Sequence, residues 1–307
     1  MSKWSTITIG EHCLVTSSKR FHLSERSENG VPFYCSKEII QKVNGQEITD
    51  CDYIREEFYE QVKEKYGVPE AGDLLITTRG TYGIPYIYQQ SDRFYFADGN
   101  LTWLKDFDDQ LSAKYLLYWI KSHEGQGKID AIAKGTAQKA VPIAGIKMLQ
   151  LSVPPIDDQY RIVNVLSSYD ELIENNYKQI KLLEEAAQRL YKEWFVDLRF
   201  PGHEDVQIID GVPENWKSCF LENLNIRIES GSRPKGGIDA SLKQGIPSIG
   251  AENVIGLGQY NYSSEKLIDF EFYSNMKKGK LKDRDILIYK DGAYIGRTSL
   301  FQDGYNR

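Results

Sequence analysis

Two loops in the first half of the chain carry several hydrogen-bond donors and positive charges close together in sequence. Residues 77–82 (TTRGTY) supply a guanidinium, three threonine hydroxyls and a glycine, and residues 134–139 (KGTAQK) supply two ammonium groups, a hydroxyl and an amide. Guanidinium and amide groups read base edges in a groove, whereas ammonium and hydroxyl groups commonly bind phosphate oxygens. We predict that Arg79 and Gln138 lie near base edges. Nearer phosphates we expect Lys134, Thr136 and Lys139, and the further candidate contacts are Thr78 and Thr81.

The second half of the chain offers a smaller set of the same kind. Arg233 and Lys235 lie in a glycine-rich, basic loop, residues 231–237 (GSRPKGG), and Lys290 and Tyr294 follow an apolar run. We predict DNA contacts for these four residues as well. A solvated surface turn is the open alternative for every residue in both halves.

Motifs for catalysis or metal binding are absent from the sequence. A DNA methyltransferase needs a glycine-rich cofactor loop and an (N/D)PP(Y/F) motif for the flipped base, and residues 153–156 (VPPI) lack both the acidic or amide residue and the aromatic one. The GxxxxGK[ST] phosphate loop does not occur. No zinc-ligand spacing surrounds His12, His22, His123 or His203. We therefore expect neither a catalytic centre nor a metal site.

Composition indicates a globular protein of about two domains. The chain has 307 residues and a formal net charge of −6, which argues mildly against nucleic-acid binding. Phosphate contacts depend on local clusters of positive charge rather than on the total, so the net charge does not decide the matter. The four cysteines are scattered, and neither a secretory signal nor an apolar membrane span occurs. We expect a reduced, cytoplasmic setting.

A long helix with a narrow apolar seam is predicted between the two halves. Heptad spacing is kept from Ile162 to Trp194, the helix starts after Pro154-Pro155, and Asp157 or Asp158 is the expected N-cap. A single stripe on so long a helix needs another helix to cover it, although an ordinary core helix remains the alternative. The predicted partner-binding residues are Gln159, Ile162, Leu166, Tyr169, Ile173, Asn176, Ile180, Leu183, Leu190, Trp194 and Phe195.

An internal repeat flanks this helix. Trp4 is matched by Trp216, residues 29–32 (NGVP) by residues 244–247 (QGIP), and residues 73–76 (DLLI) by residues 285–288 (DILI). The three matches occur in the same order and at nearly the same separation, so the register holds with one small insertion or deletion. Each DLLI-type unit predicts a short buried strand followed by a turn. The second copy extends only just past this strand and its turn.

These pieces together resemble the specificity subunits of Type I restriction-modification systems. The resemblance rests on GVP at 30–32, GDLLI at 72–76, GTAQK at 135–139, the PPIDDQ-led helix and its KEWFVDLRFPG tail at 192–202. It extends over essentially the whole chain, and the helix with its tail is its most specific part.

The resemblance implies an α+β fold. Its parts would be a mixed α/β target-recognition domain (1–155), a long coiled-coil-like spacer helix (156–197), a linker (198–212) and a partial second target-recognition domain of the same fold (213–307). In this family two such domains each read half of a split site, and the helices bind methyltransferase subunits. One complete domain and one spacer helix are a departure from that pattern, which suggests a truncation within the second domain or a partner chain that supplies the rest.

The implied partners are double-stranded DNA, the methyltransferase (modification) subunits and, through the complex, the restriction/translocase subunit. Self-association through the helix stays open, and no membrane is implicated. S-adenosylmethionine and ATP with Mg²⁺ would belong to the partner subunits, so this chain would be a non-catalytic subunit. The main alternative is an assembly or decoy protein that dimerises or sequesters methyltransferase subunits through its helix without reading DNA. A self-contained methyltransferase or nuclease is disfavoured by the missing motifs.

Overall fold

The computed structural model describes residues 4–22, 25–135, 139–256 and 259–302. The chain divides into two compact units, Met1–Pro201 and Gly202–Arg307. No helix in these ranges is long and apolar enough to cross a membrane.

The first unit contains two mixed layers of strands and helices. Its strands are β1 (Ser5–Thr8), β2 (Leu14–Thr16), β3 (Arg26–Ser27), β4 (Val31–Tyr34), β5 (Asp52–Ile54), β6 (Leu74–Thr77), β7 (Pro85–Ile87), β8 (Tyr95–Phe96), β9 (Leu101–Lys105) and β10 (Gln150–Val153). Its helices are α1 (Ile9–His12), α2 (Ser36–Val43), α3 (Glu56–Tyr66), α4 (Ala113–Lys121), α5 (His123–Ile132), α6 (Ile143–Lys147) and α7 (Ile156–Tyr191). The unit is therefore α+β, as predicted.

Two four-stranded sheets organise these elements. One has the order β2-β9-β6-β7 with antiparallel neighbours, and the other has the order β3-β5-β4-β8, in which only β4 and β8 are parallel. Strand β1 pairs with β10, so the start of the unit lies beside the strand that leads into α7.

Strand β6 is buried on both faces, as its apolar sequence predicts. Successive side chains of a strand point to opposite faces. Leu74 and Ile76 pack in a core cluster with Leu116 and Ile120 of α4, whereas Leu75 packs in a second cluster with Trp103. The strand thus ends in a rigid framework, and the turn that follows it is held at a fixed place.

The long helix is present where the heptad pattern predicts it. Helix α7 has 36 residues and continues into a π-helical turn, Lys192–Val196. The N-cap prediction is wrong, because Pro155 occupies the N-cap without a side-chain cap and Asp158 forms an ion pair with Arg161 instead. A proline side chain has no oxygen that could accept from the first N–H groups of the helix, and Asp157 and Asp158 lie within the first turn instead.

The second unit is built from short elements. Its strands are β11 (Ile208–Ile209), β12 (Val212–Pro213), β13 (Ile246–Ser248), β14 (Val254–Gly256), β15 (Gln259–Tyr260), β16 (Lys266–Ile268), β17 (Ile286–Ile288) and β18 (Thr298–Leu300). It also contains α8 (Phe270–Asn275) and short 3-10 turns. All of the strand pairs in its described part are antiparallel.

The internal repeat recurs in the hydrogen bonds of the two hairpins. Asp73 accepts at its carboxylate from the Glu70 N–H over 2.9 Å and at its carbonyl from the Tyr88 N–H over 2.8 Å. Asp285, its counterpart in the second copy, accepts in the same two ways from Lys282 and Phe301, each over 2.8 Å. The DLLI and DILI segments are thus equivalent in backbone geometry as well as in sequence.

A second equivalence concerns the glycine before the first repeated strand. Gly30 precedes β4, which pairs with β5, and Gly245 precedes β13, which pairs with β16. A Cβ at Gly30 would lie 2.2 Å from the Ile54 carbonyl oxygen, and a Cβ at Gly245 would lie 2.4 Å from that of Ile268. Both copies therefore require glycine because the same backbone approach is made twice.

The buried character predicted for the DILI strand of the second copy is wrong. Ile286 and Ile288 of β17 are exposed, unlike Leu74 and Ile76 of β6. The β6 side chains are covered by α4 and by Val141, which follow the hairpin in the first unit. The described part of the second unit stops at residue 302, and no counterpart of that helix lies within it.

Candidate nucleic-acid interface

The structure brings together the two loops of the first unit that were predicted to contact DNA. Arg79 and Lys134 each form a bridge with Ala140. Lys134 and Ala140 exchange two backbone hydrogen bonds of 2.8 Å, and the Val141 N–H donates to the Thr78 carbonyl over 2.8 Å. The turn after β6 and the basic loop before α6 therefore form one surface, although Arg79 and Lys134 are far apart in the sequence.

The cationic side chains of this surface are exposed. Arg79, Thr81, Lys134 and Lys139 are all open to solvent. Within the described residues, none of the three cations forms an ion pair. A Cβ at Gly80 would contact nothing within 4 Å, so a ligand could approach the backbone there. The arrangement presents uncompensated positive charge next to an open backbone, which suits phosphate and base contacts.

Thr78 has a different role from the one predicted. Its side chain is buried, and its hydroxyl donates to the Gly99 carbonyl over 3.4 Å, while its N–H donates to the Asn100 carbonyl over 2.7 Å. We therefore correct the prediction that the Thr78 side chain contacts DNA directly. Thr78 is buried below the exposed turn and binds the segment at 97–100 to it. The other two candidates in the basic loop, Thr136 and Gln138, lie outside the described residues.

Sequence reasoning missed the segment at 97–100 and the basic residue beside it. Asp98 of this segment forms an ion pair at 3.8 Å with the exposed Arg20. Gly99 and Asn100 hold Thr78, so Arg20 is linked through this segment to the Arg79 turn. No local motif marks Arg20, because its relation to the turn depends on pairing between distant strands. The closest signal was the sequence ADGN, which is typical of a turn after a strand.

In the second unit, Lys290 lies next to the glycine-rich segment. Its ammonium donates to the Ser230 hydroxyl over 3.4 Å, just before the GSRPKGG loop. The Arg297 guanidinium lies 4.1 Å from the centre of the exposed Tyr294 ring. Arg233 and Lys235 are exposed, and the described residues show no contact between them and Lys290 or Tyr294. The two predicted clusters are thus adjacent at Ser230 rather than merged.

The start of α7 is part of the first unit. Gln159 is fully buried; its Nε2 donates to the carbonyls of Gln110 and Pro154 over 2.8 and 3.0 Å, and its Oε1 accepts from the Ser112 N–H over 3.0 Å. The prediction that Gln159 binds a partner is therefore corrected, because its side chain is used within the unit. Ile162 is also packed partly against the core.

Farther along α7 the seam emerges from the unit. Tyr118 of α4 donates a hydrogen bond to Asp170 over 2.8 Å, and burial together with this bond raises the pKa of the tyrosine hydroxyl. Apart from its first two turns, most of the helix is exposed on the described chain. The exposed seam residues are Leu166, Tyr169, Ile173, Asn176, Ile180, Leu183, Leu190 and Phe195, and Trp194 is half-buried.

Metal-ligating side chains are not clustered beside these surfaces in the described chain. Among the described residues, no group of three or more histidine, cysteine or carboxylate side chains is placed to hold a metal ion. The Cys13 thiol is buried, and burial raises its pKa to about 12. The chemistry that the arrangement supports is reversible binding through hydrogen bonds and charge.

Comparison with known proteins identifies the family of the chain. The model of the family described as Type I restriction modification DNA specificity domain matches residues 1–185, more than half of the chain. The chain belongs to this family. The matched region takes in the first unit's sheets, the joined basic loops and most of α7.

Individual relatives agree with the assignment. A protein of Haemophilus influenzae assigned as a type I restriction enzyme specificity subunit is 27% identical over 187 residues, 61% of this chain and 45% of the relative. The type I restriction enzyme MjaIX specificity subunit of Methanocaldococcus jannaschii is 29% identical over 170 residues, 52% of this chain and 37% of the relative. The chain thus spans about half the length, or less, of these relatives.

A solved structure of the same family is also similar. The Type-I restriction-modification system S subunit from M. genitalium is 18% identical, with a TM-score of 0.46, over 64% of this chain and 46% of that one. The family assignment does not depend on this score, since the sequence model of the specificity domain carries it.

Proposed function

We propose that the chain is a DNA-reading subunit of a Type I restriction-modification complex. The observation that carries the proposal is that the Arg79 turn and Lys134 both pair with Ala140, which follows Lys139 in the chain. That pairing gathers a guanidinium and two ammonium groups without carboxylate partners among the described residues, on the end of a buried strand. A rigid base under exposed donors is what direct base reading requires.

The exposed seam of α7 provides the second half of the proposal. A narrow apolar stripe on a helix that protrudes from its unit favours packing against other helices. We propose that it scaffolds methyltransferase subunits, a second copy of the chain, or both. The S-adenosylmethionine and ATP with Mg²⁺ would be bound by those partner subunits, and this chain would supply sequence preference alone.

The second unit is proposed to be a partial copy of the reading domain. Its repeated hairpin and glycine contact support that interpretation, and Arg233, Lys235, Lys290 and Tyr294 remain its candidate DNA contacts. With the first unit it would read a bipartite site, each unit contacting one part.

A decoy or assembly protein is the competing proposal. The exposed apolar seam of α7 fits this proposal equally well, because binding to a partner through the helix requires no DNA contact. Such a protein would bind methyltransferase subunits through α7 and block productive complexes without contributing sequence preference.

Methylome sequencing tests the two proposals against each other. The chain is co-expressed with its genomic neighbour methyltransferase subunit in a host that lacks both, and the modified positions are mapped. Methylation within a defined motif supports the reading role, and a split motif supports two reading units. A stable complex that methylates nothing supports the decoy, and failure to associate with the methyltransferase contradicts both proposals.

A further inference from the structure

Three lysines lie near the ends of α3 and β9, beside the rings of Tyr66 and Trp103. The Lys19 and Lys65 ammonium groups lie 5.6 and 5.4 Å from the centre of the Tyr66 ring. The Lys105 ammonium lies 4.4 Å from the centre of the Trp103 ring and 3.7 Å from the Cβ position at Gly67, the residue after Tyr66. Lys19, Lys65 and Lys105 are called the lysine patch below.

The charge of the lysine patch is not neutralised by ion pairs. Within the described residues none of its members has a carboxylate oxygen within 4 Å. Asp73 accepts a hydrogen bond from the Trp103 indole over 2.7 Å. Burial raises the pKa of Asp73, and Lys105 acts in the opposite direction. Like charges gathered in this way repel one another, which favours binding of an external anion.

The patch is held in place rather than freely mobile. Two ammonium groups sit near the ring of one tyrosine that is 48% exposed, and a third sits over a buried tryptophan. Contacts between an ammonium and an aromatic ring are attractive and restrict the side chain. The cost of ordering three lysines on an anion is thereby reduced.

Strand β9 relates the patch to the reading loops. Leu101 at its start pairs with Thr77, two positions before Arg79, and Lys105 is at its end. Four residue steps in a strand cover about 14 Å, which is close to the roughly 12 Å width of the DNA major groove. Arg20, which adjoins Lys19, forms an ion pair with Asp98, and the next two residues, Gly99 and Asn100, hydrogen-bond to Thr78 beside the Arg79 turn.

The same turn is basic in the second unit. At the repeat separation that relates Asp73 to Asp285, residues 65–67 (KYG) correspond to residues 277–279 (KKG), and the glycines at 67 and 279 have φ angles of +80° and +77°. Lys277 and Lys278 are exposed. Glu229 is near this turn, and its pKa is lowered by a hydrogen bond from the Gly279 N–H and by Arg227 and Lys278. Lysines thus occur at the equivalent turn of both repeats, although the neighbouring residues of the two repeats differ.

We propose that the lysine patch binds backbone phosphates of duplex DNA beside the segment read by the Arg79 turn. The inference rests on the proposed function, and it assigns to α3 and β9 a role in affinity without sequence preference. The turn at Lys277 and Lys278 would act in the same way for the second unit.

The test compares salt dependence of binding in two matched triple variants. The patch variant is K19Q/K65Q/K105Q, and the control is K37Q/K114Q/K217Q, which removes three exposed lysines from other elements. A K19Q/K65Q double variant leaves the contact between Lys105 and Trp103 intact if the triple variant folds poorly. Each chain, in complex with its methyltransferase subunit, is titrated into a fluorescently labelled duplex of arbitrary sequence at about 50–200 mM KCl.

The measured quantity is the steepness with which the logarithm of the association constant for the duplex falls as log[salt] rises. Each lost phosphate contact is expected to reduce that slope by roughly 0.9. The reduction should therefore reach up to about 2.7 in the triple patch variant and about 1.8 in the double variant. The control should keep the wild-type slope, and the methylated motif should be unchanged in all variants. Equal slopes in patch and control variants overturn the inference. So does loss of the methyltransferase subunit with an unchanged slope, which would assign the patch to a protein contact. A wild-type complex that binds no duplex at any salt concentration overturns the proposed function as well.

Discussion

Gln159 joins the long helix to the first unit by accepting a hydrogen bond from the Ser112 N–H over 3.0 Å. Its Nε2 group donates to the carbonyls of Gln110 and Pro154, so one buried amide ties together the loop before α4, the end of β10 and the first turn of α7. Helix α7 therefore leaves the unit in a fixed direction. In the proposed complex this fixes the position of the reading loops relative to the helix that binds the partner.

Substitution of Gln159 by alanine is expected to destabilise the first unit by about 2–4 kcal/mol, because the Pro154 carbonyl would lose its partner in a buried position and the Gln110 carbonyl and Ser112 N–H would lose theirs in part-buried positions. The measurement is the free energy of unfolding in urea. Gln179→Ala, on the exposed part of the same helix, is the control and should change stability by less than about 0.5 kcal/mol. Equal effects of the two substitutions would show that the Gln159 amide does not hold the junction.

Gly30→Ala should destabilise the protein by at least about 2 kcal/mol. Its φ of +127° is unfavourable for other residues, and the added Cβ would lie 2.2 Å from a carbonyl oxygen. Gly127→Ala is the matched control, since Gly127 is an exposed position in α5 with nothing within 4 Å. This control should stabilise the helix by about 0.5–1 kcal/mol. Thermal unfolding of both variants would contradict the prediction if the two shifts had the same sign.

Arg79 and the lysines of the adjoining loop should differ in what they contribute to binding. Arg79→Ala is expected to weaken binding to the preferred site by about 1–3 kcal/mol and to relax the methylated motif at one or two positions. Lys134→Ala with Lys139→Ala should weaken binding to every duplex alike. Fluorescence anisotropy with a preferred and an unrelated duplex separates the two effects. If the Arg79 variant kept the wild-type ratio of affinities for the two duplexes, Arg79 would not be a residue that reads bases.

The seam of α7 should be needed for assembly but not for folding of the first unit. Ile180 is 49% exposed in the middle of the seam. Ile180→Asp is expected to weaken association with the methyltransferase subunit or with a second copy roughly 30-fold or more, since a buried apolar contact of about 2 kcal/mol is replaced by a charge. Gln179→Asp adds the same charge one position away. Light scattering and co-purification should show assembly of the control and not of the seam variant.

The cysteines should differ sharply in reactivity. The thiolate is the reactive form, and burial raises the pKa of the Cys13 thiol to about 12, so almost none of it is ionised at mildly alkaline pH. Cys219 is exposed. Alkylation under those conditions, followed by mass spectrometry, is expected to modify Cys219 rapidly and Cys13 only after unfolding. Rapid modification of native Cys13 would contradict its burial.

The sequence pattern was sufficient for features that depend on local periodicity. The heptad spacing predicted α7, and the apolar DLLI run predicted β6, because each pattern repeats at the period of its element. Helix α4 also begins after a serine suited to capping, with the Ser112 hydroxyl accepting from the Tyr115 N–H. The internal repeat likewise corresponds to two hairpins with equivalent hydrogen bonds.

Features that depend on distant contacts were not predictable in this way. Gln159 occupies a helix position that could equally have faced a partner, and only the approach of residues 110–112 buries it. Thr78 follows a strand and precedes a turn, and its burial arises from the segment at 97–100. The bridges of Arg79 and of Lys134 to Ala140 also link parts of the chain that are not neighbours in sequence. The exposure of β17 likewise reflects what packs against the strand rather than its own residues.

The central claim is that this chain confers sequence preference on a DNA-binding complex. Its most direct test is selection from a library of randomised duplexes by the chain purified together with its methyltransferase subunit, followed by sequencing of the bound DNA. The account predicts enrichment of a defined short sequence, and loss of part of that enrichment with Arg79→Ala. A bound pool with the same sequence distribution as the input library, from a complex that binds duplex, would contradict it.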